Sequence, residues 1–490
     1  MKRFQVLLII LLSGLLLLAA SYFWPKDDVK FGKHVIKFIP KNEILRFKVQ
    51  ESSQNVDSII AALESRAYGI NEDNIKRMSI LDESIFSSSL FLENPETGNG
   101  ETALSNFFKA LQKTDSTLIR IGHYGDSQIE GDRITSIIRI MFQDKFGGNG
   151  VGYVPIDDIT DPVSYTRSCS PNWVRYTVFH NRSSKGLYNN GGCVFRYRFV
   201  VPESTRDSIS DKGDTIKIKV PAASYSDATL FLRLFRGYSS MSIWYGNGTE
   251  KSNLKIYNSK NNELLANVSL NSEDLFNVLK IPLTQNATTI KCVFTGPSPE
   301  IYGFSFDPLK GVQFDNYGLR GHGGEGILSI SSSFLNVQFV KLNNQLAILQ
   351  FGGNVTPYVK NESSLNGVKQ SYNRLYAHFR KAMPSGSVLA IGVNDVARSV
   401  GGTYVSYPMV GRIRDVQKEV ALQNGCAFFD LYKLMGGENS VLSWHKKGWA
   451  SRDGHFSDRG REIVVNELFI AIMSEYNKFL IHGTNLKNEK

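Results

Sequence analysis

The chain has 490 residues, of which 42% are hydrophobic and 21% charged, with 42 glycines, 15 prolines and four cysteines. A length beyond the roughly 100–200 residues of one domain points to two or three folding units, and the composition excludes a wholly disordered, collagen-like or disulfide-built protein. The formal net charge is +10, from 56 basic and 46 acidic residues, but no basic run is interleaved with aromatics, so nucleic acid is not an expected partner.

Lys2 and Arg3 precede an apolar run over 4–24. A helix of about 20 residues crosses a bilayer core roughly 30 Å thick, and positive charge ahead of it predicts a cytoplasmic N-terminus with an exported remainder. A cleaved signal peptide is the alternative, although Ala19-Ala20-Ser21 lacks a clean small-residue cleavage pattern. The expectation is therefore a single-pass inner-membrane protein, with the membrane as a partner through helix 1–24 and its bulk in the periplasm. Residues 25–100 are mixed and polar, with a helix expected over 56–66, and read as a membrane-proximal stalk or cap.

Apolar positions at helical spacing predict a helix over 102–112, followed by a short buried parallel strand over 116–122. From about 155 to 308, short β runs alternate with Asn-Gly, Gly-Asn and Asn-Asn turns, at 215–220, 228–235, 241–245, 253–257, 289–294 and 300–306. Such spacing reads as an antiparallel sandwich. Beyond Gly311, strands (345–351, 387–392, 426–431) alternate with helices (371–383, 410–424, 458–479), which implies a parallel sheet with helices on both faces. The expected architecture is thus one α/β domain made of 101–155 and 309–480. It is interrupted by a β sandwich over 156–308, a candidate carbohydrate-binding module, and ends in a tail at 481–490.

Two segments carry chemistry. In His123-Tyr124-Gly125-Asp126-Ser127-Gln128, a serine leaves an apolar strand through a tight turn, where open α/β sheets build their sites. A helix expected over 133–142 would aim its N-terminus at that serine, although an N-cap serine reads the same way. Near the other end, Arg452-Asp453-Gly454-His455 brings an acid and an imidazole, the remaining parts of a nucleophilic triad. Asn316-Tyr317-Gly318-Leu319-Arg320-Gly321 and Gln350-Phe351-Gly352-Gly353-Asn354 offer a glycine amide and an asparagine side chain as oxyanion donors. Cys169, Cys193, Cys292 and Cys426 show no zinc spacing, and no metal or other cofactor is expected. Cys169 and Cys193 read equally as a pair or as buried thiols.

Gly125-Asp126-Ser127, Gly321, Asn354 and His455, in that order, resemble the four blocks of the SGNH (GDSL-type) serine esterase and lipase superfamily. The stretch 124–135 and the interrupting β segment resemble its bacterial, exported branch linked to O-acetylation of peptidoglycan or surface polysaccharide. The resemblance implies a three-layer α/β/α, flavodoxin-like fold. It also implies Ser127 as nucleophile, His455 as general base, Asp453 as its acid, and Ser127 N–H, Gly321 N–H and Asn354 as the oxyanion hole. Two departures stand out. The family places its acid three residues before the histidine, where this chain has Arg452, and Gly392-Val393-Asn394-Asp395 spells the G-x-N-D block a second time. Chain order favours Asn354 over Asn394. The resemblance thus implies a membrane-anchored esterase removing acyl groups, expected to be acetyl, from a glycan. The alternatives are an O-acyltransferase using the same residues, or a glycan-binding protein on an idle scaffold. Trp173, Trp244 and Tyr245 are candidates for stacking on sugar, against the commoner role of such residues in a sandwich core.

Overall fold

Four strands of five to eight residues, buried at nearly every position, and two shorter ones at one edge build the central sheet of the computed structural model. The structure describes residues 91–98, 100–201, 203–209, 215–220 and 222–488, together with 29–31, 34–36, 59 and 63. The chain divides into two compact units, 1–58 and 59–490. In the first, Val29–Phe31 pairs antiparallel with His34–Ile36. The second holds every other described element.

Among the described residues, the main sheet contains β1 (Leu92–Glu93), β2 (Leu118–Gly125), β3 (Gly311–Gly318), β4 (Asn344–Gln350), β5 (Ser387–Ile391) and β6 (Ala427–Phe429). Their order is β3-β2-β4-β5-β6-β1, parallel except for the edge pair β6–β1. Helices α1 (Ser105–Leu111), α2 (Thr135–Phe146) and α6 (Asp458–Asn488) pack on one another, as do α3 (Ser332–Leu342), α4 (Glu362–Ala382) and α5 (Val410–Gln423). Helix α4 starts nine residues before the periodicity alone suggests. Asn361 caps it in a reciprocal box with Ser364, satisfying backbone donors that would otherwise be orphaned.

Between β2 and β3, besides two two-stranded ribbons, the chain makes two larger antiparallel sheets that meet through Trp173, Phe294 and Phe304. One of them also packs on the main sheet. Its Trp244 stacks on Tyr153 at 5.3 Å and lies under the guanidinium of Arg120 from β2, while Tyr153 meets Tyr317 from β3. Arg120 is buried with Asp315 and Asp307, and Arg139 with Asp132, which also takes the Ser164 hydroxyl at 2.5 Å. These buried ion pairs fix the β-rich part on the sheet.

Several expectations need correction. No helix among the described residues is long and apolar enough to cross a membrane. The longest, α6, is punctuated by Arg459, Arg461, Glu462, Glu467, Glu475 and Lys478. The expected anchor over 1–24 lies outside the described residues, as does most of the 56–66 helix. The described structure therefore holds no transmembrane component, against the reading as a single-pass inner-membrane protein with a membrane partner and a periplasmic bulk. Leu92–Glu93, within the supposed stalk, pair with Phe428–Phe429 at the sheet edge. The supposed tail is a continuation of α6 to Asn488. Cys193 is a buried thiol, not bridged to Cys169.

Trp173, Trp244 and Tyr245 do not face solvent: they are 7%, 0% and 1% exposed. Trp173 donates from its indole N–H to Thr229 O at 3.0 Å inside the sandwich. Trp244 and Tyr245 sit on a strand covered on both faces, by the second sheet and by the α/β core. No ring surface is left for a sugar.

Candidate active site

The loops leaving β2, β3, β4 and β5 carry Ser127, Gly321, Asn354 and Asn394, and parallel pairing brings them to the same sheet edge. The strand order turns back at β2, and such a reversal opens a crevice at the carboxyl ends. Gly125 is needed there, because a Cβ would come within 2.8 Å of Gln350 O. The Asp126 carboxylate then accepts the Gln128 N–H at 3.0 Å and closes the turn that presents Ser127. Helix α2 begins only at Thr135, after a 3₁₀ turn with left-handed Gly131 and Asp132, so its N-terminus does not directly follow Ser127.

Ser127 Oγ lies 2.8 Å from His455 Nε2, and His455 Nδ1 lies 3.1 Å from Asp453 Oδ2. The short Asp-x-His spacing works because Gly454 adopts φ +85°, a left-handed conformation that folds the acid back under the ring. A side chain at Gly454 would also meet Asn394 Nδ2 at 2.5 Å. The turn is closed by Ser451 N–H donating to His455 O at 2.8 Å and by the Ser451 hydroxyl against the Asp453 carboxylate. Arg452, at the position where the family carries its acid, instead lays its guanidinium over the Tyr404 ring.

The charges are coupled. The hydrogen bond to His455 holds the Asp453 carboxyl well below the usual carboxylate range. The same bond raises His455 above its ordinary value, with burial opposing and the charges of Asp453 and Asp126 reinforcing. Burial pushes Asp126 up to about 6, against its hydrogen bond with Gln128 N–H, the charge of His455 and the Asn354 amide.

Asn354 and Asn394 both line the cavity of about 200 Å³ that also contains Ser127, Tyr407, Asp453 and His455. Their amides differ. Asn394 Nδ2 is engaged by Gly454 O at 3.0 Å and Asp395 O at 3.1 Å, tying the His455 turn to β5. Asn354 Nδ2 donates to Asp126 Oδ2 at 2.9 Å and reaches His322 O only at 3.4 Å, so its second N–H is weakly held. Gly321 does not line this cavity. It sits at φ +75° with its open side toward the half-exposed ring of Phe179 from the β-rich part.

Gln128 and Arg133 were not singled out from the sequence. The Gln128 amide holds the backbone on either side of His455, and Arg133 donates to Ser127 O at 2.7 Å while pairing with Glu130. Glu130 also receives Arg320, from the turn that carries Gly321. The only signal in the sequence was adjacency to Ser127, because the partners lie up to 328 residues away. Among the described residues, no cluster of three or more His, Cys, Asp or Glu could hold a metal ion.

Comparison with solved structures aligns this architecture with a protein described as a peptidoglycan O-acetylesterase. The two share 20% identity over 79% of this chain and 99% of the other, with a TM-score of 0.59. That likeness shows a common fold. An acetyl xylan esterase (13% identity, 33% and 81% covered, TM-score 0.24) and a family two carbohydrate esterase from Clostridium thermocellum (10% identity, 57% and 99% covered, TM-score 0.21) overlap much less well. No protein-family model matches the chain, and no curated protein matches it in sequence.

Proposed function

We propose that the chain is an SGNH-type serine esterase that removes a short acyl group, acetyl in the first instance, from a carbohydrate hydroxyl. The observation that carries this reading is the 2.8 Å contact of Ser127 Oγ with His455 Nε2, backed by Asp453 on the other ring nitrogen. The peptidoglycan O-acetylesterase that shares the fold supports the choice of an acylated glycan. The small cavity supports a short acyl group.

In this mechanism, neutral His455 takes the Ser127 proton as Oγ attacks the ester carbonyl. The carboxylate of Asp453 stabilises the resulting imidazolium and holds the ring with Nε2 toward the serine. Negative charge on the carbonyl oxygen is received by the backbone N–H of Ser127 and by the loosely held N–H of Asn354. His455 returns its proton to the departing sugar oxygen. Water, deprotonated by His455, then cleaves the acyl-enzyme, and the acid leaves with Ser127 restored.

The test is acetate release from 4-nitrophenyl acetate and from O-acetylated glycans by the purified protein. Ser127→Ala is expected to remove turnover by about 10⁴-fold or more. Undiminished turnover in that variant, or glycan binding without cleavage of any ester, would defeat the proposal.

A further inference from the structure

We propose that the outer face of the five-stranded sheet in the β-rich part binds an anionic, β-1,4-linked glycan chain laid across its strands. The inference does not depend on the esterase reading, and none of the residues it uses lines the Ser127 cavity. The strands of this sheet run in the order Glu263–Ser269, Asn253–Asn258, Thr289–Thr295, Ala228–Leu234 and Tyr165–Cys169. Alternation sends Leu230, Leu232, Ile290, Cys292, Leu254 and Ile256 into the sandwich, where each is buried. The residues between them stand on the opposite face, toward solvent.

Register decides what that face carries. Phe231 pairs with Lys291, Lys291 with Tyr257, and Tyr257 with Leu264, so these four form one row across four neighbouring strands. Residues directly opposite each other in a ladder point the same way. Phe231 and Leu264 are 42% and 46% exposed, and the Lys291 ammonium lies 5.6 Å from the Phe231 ring centre. Two residues farther along the same face, Arg233 lies 6.0 Å from the centre of the half-exposed Phe235 ring. Lys255 occupies the row on the other side, opposite Val293. Glu263, the one carboxylate in the five strands, is opposite Asn258 and so in the row of the inward-facing Ile290. It is bonded there to Asn261 and Gln285. Arg233, Lys255 and Lys291 have no carboxylate partner among the described residues.

A solvated surface ordinarily mixes both signs of charge. Three cations and no acid on the outward positions make this face complementary to a polyanion. The exposed rings select a sugar chain among polyanions, because a pyranose lays its apolar C–H face on an aromatic ring and turns its hydroxyls to the polar neighbours. Phe231 and Tyr257 are two strand spacings apart, about 9.6 Å, which is the advance of one disaccharide in an extended β-1,4-linked chain. Alternate sugars thus meet a ring, and the sugar between them meets the ammonium of Lys291. Two sources share this chemistry: a polyuronate, with a carboxylate on every ring, and a chain bearing a lactyl ether on every second sugar.

The experiment is calorimetric titration of the whole protein with polymannuronate oligomers, with peptide-free peptidoglycan strands and with neutral chitohexaose. At low ionic strength, at least one anionic chain is expected to bind roughly tenfold more tightly than chitohexaose, the scale of one charge-assisted hydrogen bond. Which anionic arm shows the preference identifies the source. The preference should shrink at high salt, where the charges are screened. Phe231→Ala/Tyr257→Ala is expected to weaken binding of that chain by about tenfold through loss of two stacking contacts. Lys255→Gln/Lys291→Gln should erase the preference over chitohexaose. All four side chains point outward, and an unchanged melting temperature verifies that each variant is folded. Absence of binding, binding that survives both double variants, or equally tight binding of single-stranded DNA would overturn the proposal, the last by marking a general polyanion surface. The titration needs no ester cleavage, so an inactive Ser127 would defeat the esterase reading alone, and loss of binding would defeat this proposal alone.

Discussion

The side-chain amide of Gln128 brackets His455. Its Nε2 donates to Gly454 O at 2.7 Å and its Oε1 accepts the Phe456 N–H at 3.3 Å, so the residue after Ser127 grips the backbone before and after the imidazole. Serine and histidine are thereby fixed relative to each other by one planar group. A hydrogen bond between two side chains alone would leave the His455 turn free to tilt. Gln128→Ala is expected to lower kcat on 4-nitrophenyl acetate by about tenfold or more with little change in KM, because misplacement of reacting groups is costly even when binding persists. Steady-state kinetics at fixed pH checks this, and a KM effect alone would contradict it.

Asp453 sets the pH at which His455 can act. The ring must be neutral to accept the serine proton, and Asp453 raises its pKa. The ascending limb of kcat/KM should therefore lie above the ordinary histidine value of about 6.5. In Asp453→Asn the limb should move to lower pH, because burial then acts without the opposing carboxylate. The plateau should fall by about 10²-fold, at the lower end of a general-base contribution. A pH–rate profile of the two proteins measures both effects, and an unmoved limb would show that the carboxylate does not act on the ring.

The two asparagines should separate cleanly. Asn354→Ala removes the N–H that is only weakly held by His322 O, along with the donor to Asp126, and is expected to cost about 10²–10³ in kcat. Asn394→Ala leaves the buried Asp395 carbonyl without this donor and loosens the Gly454 turn. It should destabilise the fold by about 1–3 kcal/mol, with a smaller effect on kcat. Chemical denaturation alongside kinetics distinguishes the two, and equal kcat losses would refute the separation.

The junction of the β-rich part with the main sheet depends on Arg120. It is buried with Asp315 and Asp307, both also buried, so Arg120→Met strands two acids away from water. Destabilisation of about 3–5 kcal/mol is expected. Thermal unfolding reads it, and an unchanged melting temperature would mean that the network adds no net stability.

The elements most legible in the sequence are those fixed by local pattern. The apolar run before Gly125 falls on β2, and the 3.6-residue spacing after Val410 falls on α5. The strands at 263–269 and 277–280 were less visible, since their buried positions are few and interrupted by polar residues. Trp244 and Tyr245 left two readings open in the sequence, sugar stacking or the commoner place in a sandwich core, and neighbours on a strand ordinarily face opposite ways. A register shift between them, and the cover on both faces, bury the two together.

By itself, the amino-acid sequence determined which short segments become strands, helices and turns, and it put a serine after an apolar strand and a histidine before the last helix. Backbone periodicity and turn chemistry act over a few residues, so they can be read without knowing the rest of the chain. Only the tertiary structure decided that Asp453 reaches His455 through a left-handed Gly454, that Gln128 clamps a turn 326 residues away, and that the sandwich tryptophans are closed to solvent. Those outcomes depend on strand order and on which surfaces pack together, and a contact between distant segments leaves no periodic trace in either of them.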